Sequence, residues 1–145
     1  MEKMSKSIKD TKDFASEFIK SFKKNPEGAT VVGLYGNLGS GKTTFFQCVA
    51  EILGVEGAVT SPTFVIQKTY SLKPNTHNFK KLVHIDAYRL KNGGELEKLG
   101  FEEILKDPEN LVFIEWPEHI EGVLPEDALK LKFEFVDDTT RRIEL

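Results

Sequence analysis

Cysteine, arginine and tryptophan are scarce in this 145-residue sequence, and each scarcity narrows what the chain can be. The single cysteine, Cys48, excludes an internal disulfide and leaves no basis for a cysteine-built zinc site. There is no excess of positive charge. Lys plus Arg is 20 and Asp plus Glu is 23, a formal charge of −3, which excludes binding nucleic acid mainly by bulk charge but leaves a local basic patch open. No apolar run approaches the ~20 residues of a membrane span. The N-terminal stretch MEKMSKSIKDTKDF carries lysines without an apolar segment behind them. We therefore read no signal peptide and no membrane contact, and expect a cytoplasmic protein. What is present, 39% apolar and 30% charged residues, is the composition of a soluble globular chain, and residues 1–145 are expected to form a single domain.

Hydrophobic periodicity orders the chain. Phe14, Phe18, Ile19 and Phe22 recur at helical spacing, so residues 11–24 read as an amphipathic helix, closed by the breakers Asn25-Pro26-Glu27-Gly28. TVVGLY (30–35) reads as a buried strand, followed by a glycine-rich turn and a helix of about three turns ending at Gly54. Residues 63–72 and 79–86 read as an antiparallel pair joined by a long, mobile polar loop. GGELEKLGFEEILKD reads as two short helices broken at Gly100, LVFIEW (111–116) as a second buried strand, and LKLKFEFV (129–136) as a strand with one wet face. Residues 139–145 pair back onto it through a turn at Asp137-Asp138. Strand–loop–helix followed by further buried strands and hairpins predicts an α/β fold with a mixed, partly antiparallel central sheet.

The strongest local signal is Gly36-Asn37-Leu38-Gly39-Ser40-Gly41-Lys42-Thr43, followed by Thr44, which fits G-x-x-x-x-G-K-[ST] at every fixed position. The glycines permit backbone conformations closed to other residues, so that amide N–H groups converge on phosphate oxygens. The following helix turns its positive end to the same anion. Lys42 can reach the β- and γ-phosphates, and the Thr43 hydroxyl can ligate Mg²⁺. A strand before and a helix after supply the required context. We expect a P-loop NTPase-like three-layer fold that binds ATP with Mg²⁺.

Such a site needs a strand-end acid for the metal and a group that orients water. Asp86 ends LVHID and Glu115 ends LVFIE, both at the carboxyl edge where α/β sheets place ligands. We assign Asp86 to the metal shell through water and Glu115 to the attacking water, and the spacing leaves the exchange of these roles open. Glu115, Lys42 and Asp86 are the candidate catalytic groups, with Thr43, Asp86 and Glu115 as the candidate metal set. His84, Asp86 and Tyr88 share one face at period two, with Arg89 following. Packing accounts for His84 and Tyr88 as well as function does, and a structural ion pair does so for Arg89. Thr63, in Ser61-Pro62-Thr63-Phe64, can offer a hydroxyl to Mg²⁺ or a γ-phosphate as a switch segment does, or it simply leads into a strand. Trp116 can cover a nucleotide, face a partner or pack in the core. Cys48 reads as an inert core thiol.

Gly36–Thr44 (GNLGSGKTT), Ser61–Phe64 (SPTF), His84–Leu90 (HIDAYRL) and Glu115-Trp116-Pro117 (EWP) resemble, in order and spacing, the TsaE (YjeE) family of small bacterial P-loop ATPases. The resemblance runs from about Thr11 to Leu145, including Leu124-Pro125 before the alternating strands. The segment HxDxYR together with EWP makes it specific. It implies slow, Mg²⁺-dependent ATP hydrolysis and docking on the TsaB–TsaD heterodimer, which installs threonylcarbamoyl on adenosine 37 of tRNAs reading codons that begin with A. By position it implies phosphate and magnesium roles for Lys42, Thr43 and Thr44, a switch role for Thr63, a magnesium-shell role for Asp86 and a catalytic role for Glu115. The connector Lys73–Asn78 is longer than in many relatives.

The runner-up is a small-molecule P-loop kinase, with residues 93–110 as a lid. Kinases clamp two phosphate-bearing substrates with several arginines, and this chain has only Arg89, Arg141 and Arg142, the last two placed on a terminal strand. A GTPase lacks support because no N-K-x-D stretch follows the P-loop. A non-hydrolysing adaptor would tolerate loss of Glu115. Lys68, Lys73, Lys80 and Lys81 could form a basic patch toward tRNA or a solvated hairpin face, and contact with tRNA is expected to be indirect.

Overall fold

The computed structural model describes residues 1–55, 59, 66–74 and 77–145. At its centre lie two buried six-residue strands. β2 (Thr30–Tyr35) and β5 (Asn110–Glu115) are buried almost throughout and pair in parallel, Thr30 opposite Leu111 through Leu34 opposite Glu115. Strands buried on both faces read as continuous hydrophobic runs, and these two do. Around them β1 (Glu2–Ser5), β3 (Gln67–Ser71), β4 (Lys81–Asp86), β6 (Leu129–Asp137) and β7 (Thr140–Glu144) complete a seven-stranded sheet of order β1-β7-β6-β2-β5-β4-β3. β4 and β6 run parallel to their central neighbours. The β3–β4, β6–β7 and β1–β7 pairs are antiparallel, so the sheet is mixed as expected.

Period two divides the sheet into two faces. Val32, Leu34, Leu82, Leu111 and Phe113 point to the face covered by α1 (Ile8–Ser21) and α2 (Lys42–Ile52), where Phe14, Phe18, Phe45 and Phe46 fill the core. Phe45 is fully buried, with ring centroids 5.4 Å from Phe133, 6.0 Å from Phe14 and 6.3 Å from Phe113. Truncating such a ring to alanine costs about 3–5 kcal/mol. Val31, Val83, Ile85, Val112 and Ile114 face the opposite layer of α3 (Gly93–Glu97), α4 (Phe101–Lys106) and a 3-10 segment, Pro117–Val123. Helix–sheet–helix layering follows directly from this alternation.

Three points of the sequence reading need correction. The first helix begins at Ile8, not residue 11, because Ser7 caps it by accepting from the Asp10 N–H, and it ends where Phe22 turns extended. β1 carries no apolar alternation and is not legible as a strand. It forms because the open edge of β7 offers a ladder, with Glu2 opposite Glu144 and Ser5 opposite Arg141. The terminal hairpin turns one residue later than read, after Asp137, whose carboxylate accepts from the Thr139 N–H. Gly100 (φ 84°) separates the two short helices as its left-handed backbone requires. The expected strand start at 63–65 and part of the connector, residues 75–76, lie outside the described residues.

Candidate phosphate-binding site

The same alternation builds the site. On β4 it carries His84 and Asp86, and on β5 Glu115, to the face that holds α2. Asp86 and Glu115 end their strands side by side. The P-loop leaves β2 between them and the β6–β7–β1 half of the sheet. Gly36, Gly39 and Gly41 have φ of 147°, 76° and 101°. At Gly36 space adds to the backbone demand, since a Cβ would stand 2.5 Å from the Phe133 carbonyl oxygen and 2.7 Å from Ser40 Oγ. A cleft of about 740 Å³ opens over the loop, lined by Leu38 through Thr44 and by Asp86, Tyr88, Glu115 and Trp116. Asn37 does not line it; its carbonyl accepts from the Ser40 N–H.

Lys42 is buried and donates to the Gly36 carbonyl oxygen at 2.6 Å, with its ammonium 3.9 Å from the Trp116 ring centroid. Burial pulls its pKa below the ordinary lysine value, opposed by the nearby Glu115. The Thr43 hydroxyl reaches Glu115 Oε1 at 3.2 Å, and His84 Nε2 donates to Oε2 at 2.7 Å. His84 is fully buried, stacked on Phe46 at 3.9 Å, so the bland packing reading and the polar one both hold for it. Asp86 is half-buried and accepts from the Tyr88 N–H at 3.0 Å. Burial pushes its carboxyl above the usual range, partly offset by that hydrogen bond. Trp116 turns the chain out of β5 at φ 58°, and its ring lies 5.2 Å from Tyr88 and 5.6 Å from His119. Cys48 is buried, and burial raises its pKa.

The donors fit a phosphate with a hard cation. Ser40 Oγ is buried in the loop without a hydrogen-bond partner among the described residues. One hydroxyl and two carboxylates are oxygen ligands of the kind Mg²⁺ shares with phosphate and water. Among the described residues no cluster of three or more His, Cys, Asp or Glu could hold a metal by itself. Lys42, Thr43, Asp86 and Glu115 thus converge. Thr63 lies outside the described residues. Sequence reading did not connect Arg141 to the site. Its Nε donates to the Gly39 carbonyl oxygen at 2.8 Å across 102 positions, a separation at which no local pattern announces contact.

This loop, on a mixed sheet between two helical layers, defines a P-loop NTPase-like fold. The chain belongs to the TsaE family: residues 5–143 match the family described as "Threonylcarbamoyl adenosine biosynthesis protein TsaE". It is 43% identical over 115 residues to the TsaE protein of Streptomyces coelicolor, covering 78% of this chain and 74% of that one. It is 37% identical over 136 residues to that of Rickettsia bellii, covering 93% and 87%. It is 35% identical to that of Haemophilus influenzae, covering 85% and 73%. The crystal structure of Bacillus subtilis YdiB superposes with a TM-score of 0.74 at 29% identity, covering 99% of this chain and 82% of that one.

Proposed function

We propose that this chain binds ATP with Mg²⁺ and hydrolyses it slowly, as one ATPase domain spanning residues 1–145, in support of tRNA threonylcarbamoylation at adenosine 37 by the TsaB–TsaD heterodimer. The observation that carries the reading is the junction of loop and strand end. Thr43, the hydroxyl of the phosphate loop, is hydrogen-bonded to Glu115, with Asp86 beside it on the next strand.

Lys42 leaves the Gly36 carbonyl and Trp116 ring to place its charge on the β- and γ-oxygens. Ser40 Oγ and the loop amides take the remaining phosphate oxygens, and Thr44 flanks them from the first turn of α2. Thr43 would offer a lone pair to the metal while its O–H donates to Glu115, and Asp86 would join the metal shell through water. Mg²⁺, when bound, disperses the charge of the phosphate oxygens. Glu115, held by His84, orients the attacking water from the carboxylate face not engaged by Thr43. The family resemblance supports a switch role for Thr63, whose hydroxyl would serve Mg²⁺ or the γ-phosphate. Membership of a threonylcarbamoyladenosine biosynthesis family supports the partner assignment and weighs against a small-molecule kinase. Docking on TsaB–TsaD raises turnover, and tRNA contact is indirect. The chain works in the cytoplasm; no helix among the described residues is long and apolar enough to cross a membrane.

The test is ATP turnover by the purified chain with and without TsaB–TsaD, wild type beside Glu115→Gln. Stimulation by the heterodimer, lost in the variant while ATP binding persists, is the expected result. Turnover that appears only with an added metabolite acceptor would favour the kinase instead.

A further inference from the structure

The strand ladder between β4 and β5 stops at Asp86 opposite Glu115, and beyond it the two chain exits need other ties. Asp86 runs into a tight turn. The Ala87 carbonyl accepts the Leu90 N–H at 3.0 Å, and the Tyr88 N–H, inside the turn, holds Asp86 Oδ1 at 3.0 Å. The aim of this carboxylate is therefore set by the turn as well as by its own strand. Glu115 runs into Trp116, whose left-handed backbone swings the chain into the segment Pro117–Val123. One tie between the exits is backbone, from the Ala87 N–H to the Glu115 carbonyl at 3.0 Å. The other is a side chain.

His119 supplies it. Its Nδ1 stands 2.9 Å from the Ala87 carbonyl oxygen, 32 positions away, and because a carbonyl only accepts, Nδ1 carries the proton. The backbone N–H of His119 returns to the Trp116 carbonyl at 3.1 Å and closes the left-handed turn. Its ring centroid lies 5.6 Å from that of Trp116 and 6.3 Å from that of Tyr88, and the latter two are 5.2 Å apart, so three rings close a triangle. Tyr88 and Trp116 line the cleft, and Trp116 stands over the Lys42 ammonium at 3.9 Å. One imidazole thus touches both the turn that aims Asp86 and the ring that rests on Lys42.

We propose that His119 is a positioning residue for the metal side of the site: its Nδ1–H pins the turn that aims Asp86, and its ring seats the Tyr88–Trp116 pair. This deepens the Mg-ATP reading above and rests on it. The argument is one of pre-organisation. A carboxylate left free to swing must be ordered when it enters a metal shell, and the partners that orient it set the metal affinity for that reason. Tyr88 is 53% exposed, so the outer side of the turn meets water, which competes for its backbone bonds. The half-buried imidazole ties the inner side of the turn to the Glu115–Trp116 exit.

Two variants separate the donor from the ring. His119→Phe keeps a ring against Trp116 and Tyr88 but loses the donor, and His119→Asn places an amide N–H where Nδ1–H stands. The Ala87 carbonyl keeps the Leu90 N–H in both, so the fold should survive. In the ligand-free chain, amide hydrogen exchange at Tyr88 and Leu90 should be about tenfold faster in His119→Phe and close to wild type in His119→Asn. Calorimetric ATP titrations over a series of Mg²⁺ concentrations should show half-saturation by Mg²⁺ shifted about tenfold upward in His119→Phe, with affinity at saturating Mg²⁺ little changed and most of the shift recovered in His119→Asn. Unchanged exchange in His119→Phe, a loss of ATP affinity equal at every Mg²⁺ concentration, or an Asn variant no better than Phe overturns the assignment. If the wild type binds no ATP at any Mg²⁺ concentration, the ATP reading itself fails, and the role of His119 toward the metal falls with it.

Discussion

His84 Nε2 lies 2.7 Å from Glu115 Oε2, and the histidine donating this bond is wholly buried against Phe46. With Thr43 on the other oxygen, the carboxylate is gripped from two elements, β4 and α2. A group that must orient water gains from being held in one rotamer. His84 therefore acts as a positioning residue for Glu115. His84→Leu keeps the volume and removes the donor, and turnover should fall about 10- to 100-fold with nucleotide affinity little changed. His84→Gln, which can still donate, should restore part of it. Equal loss in both variants, tracking a lowered melting temperature, would show that His84 only packs.

Lys42 rests on its own loop. Its ammonium meets the Gly36 carbonyl and the Trp116 ring, and both contacts must break for it to reach a phosphate. Trp116 is the only tryptophan, so its emission reports the departure. Mg-ATP should change the intrinsic fluorescence of the wild type saturably. Lys42→Ala should bind at least about 100-fold more weakly and show no such change, without loss of stability, because a charge held at a desolvation cost is removed. A fluorescence response to ATP unaltered in Lys42→Ala would break the link.

The central strands, the P-loop and the strand-end acids were legible because each is announced within a few residues: an apolar run, glycines at fixed offsets, a carboxylate closing a strand. What was not legible depends on distance. Glu115 and Asp86 are equivalent in the sequence, and only pairing of β4 with β5 and packing of α2 bring Glu115, rather than Asp86, against Thr43. Arg141 reaches Gly39 across 102 positions. β1 has no pattern of its own and exists only because β7 has an edge to fill. Ser7 as a helix cap was readable in principle, since it precedes the apolar periodicity, but the lysines around it obscure the boundary.

Asp86 has its pKa raised by burial, so the folded state holds its proton more tightly than the unfolded chain does. The sign follows. Its contribution to stability is greatest below the ordinary aspartate value and is lost as pH rises through the raised one. Asp86→Asn should therefore be more stable than wild type at neutral pH, with the difference in melting temperature shrinking toward acid. The same shift should set an acid limb on Mg-ATP affinity above the ordinary aspartate range, and that limb should vanish in the variant. Parallel melting temperatures at every pH would mean that the carboxylate is not desolvated as the structure requires.

Arg141 ties β7 to the phosphate loop, and its loss should affect every ligand the loop holds. Its Nε bond to the Gly39 carbonyl fixes the middle of the phosphate loop, and Nη1 accepts no ligand role because it donates to the Asp137 and Thr140 carbonyl oxygens. Arg141→Ala frees a carbonyl that water can satisfy, so the fold should survive, while the loop loses its tether to β7. A hydrogen bond from a charged donor contributes about 1.5–3 kcal/mol. Because the site is exposed, the lower part of that range applies, and the loss should appear as loop disorder rather than as unfolding. Affinity should fall about five- to tenfold for ATP and tripolyphosphate alike, since both are held by the loop. Loss confined to ATP would instead move Arg141 from tethering the loop to contacting the nucleoside.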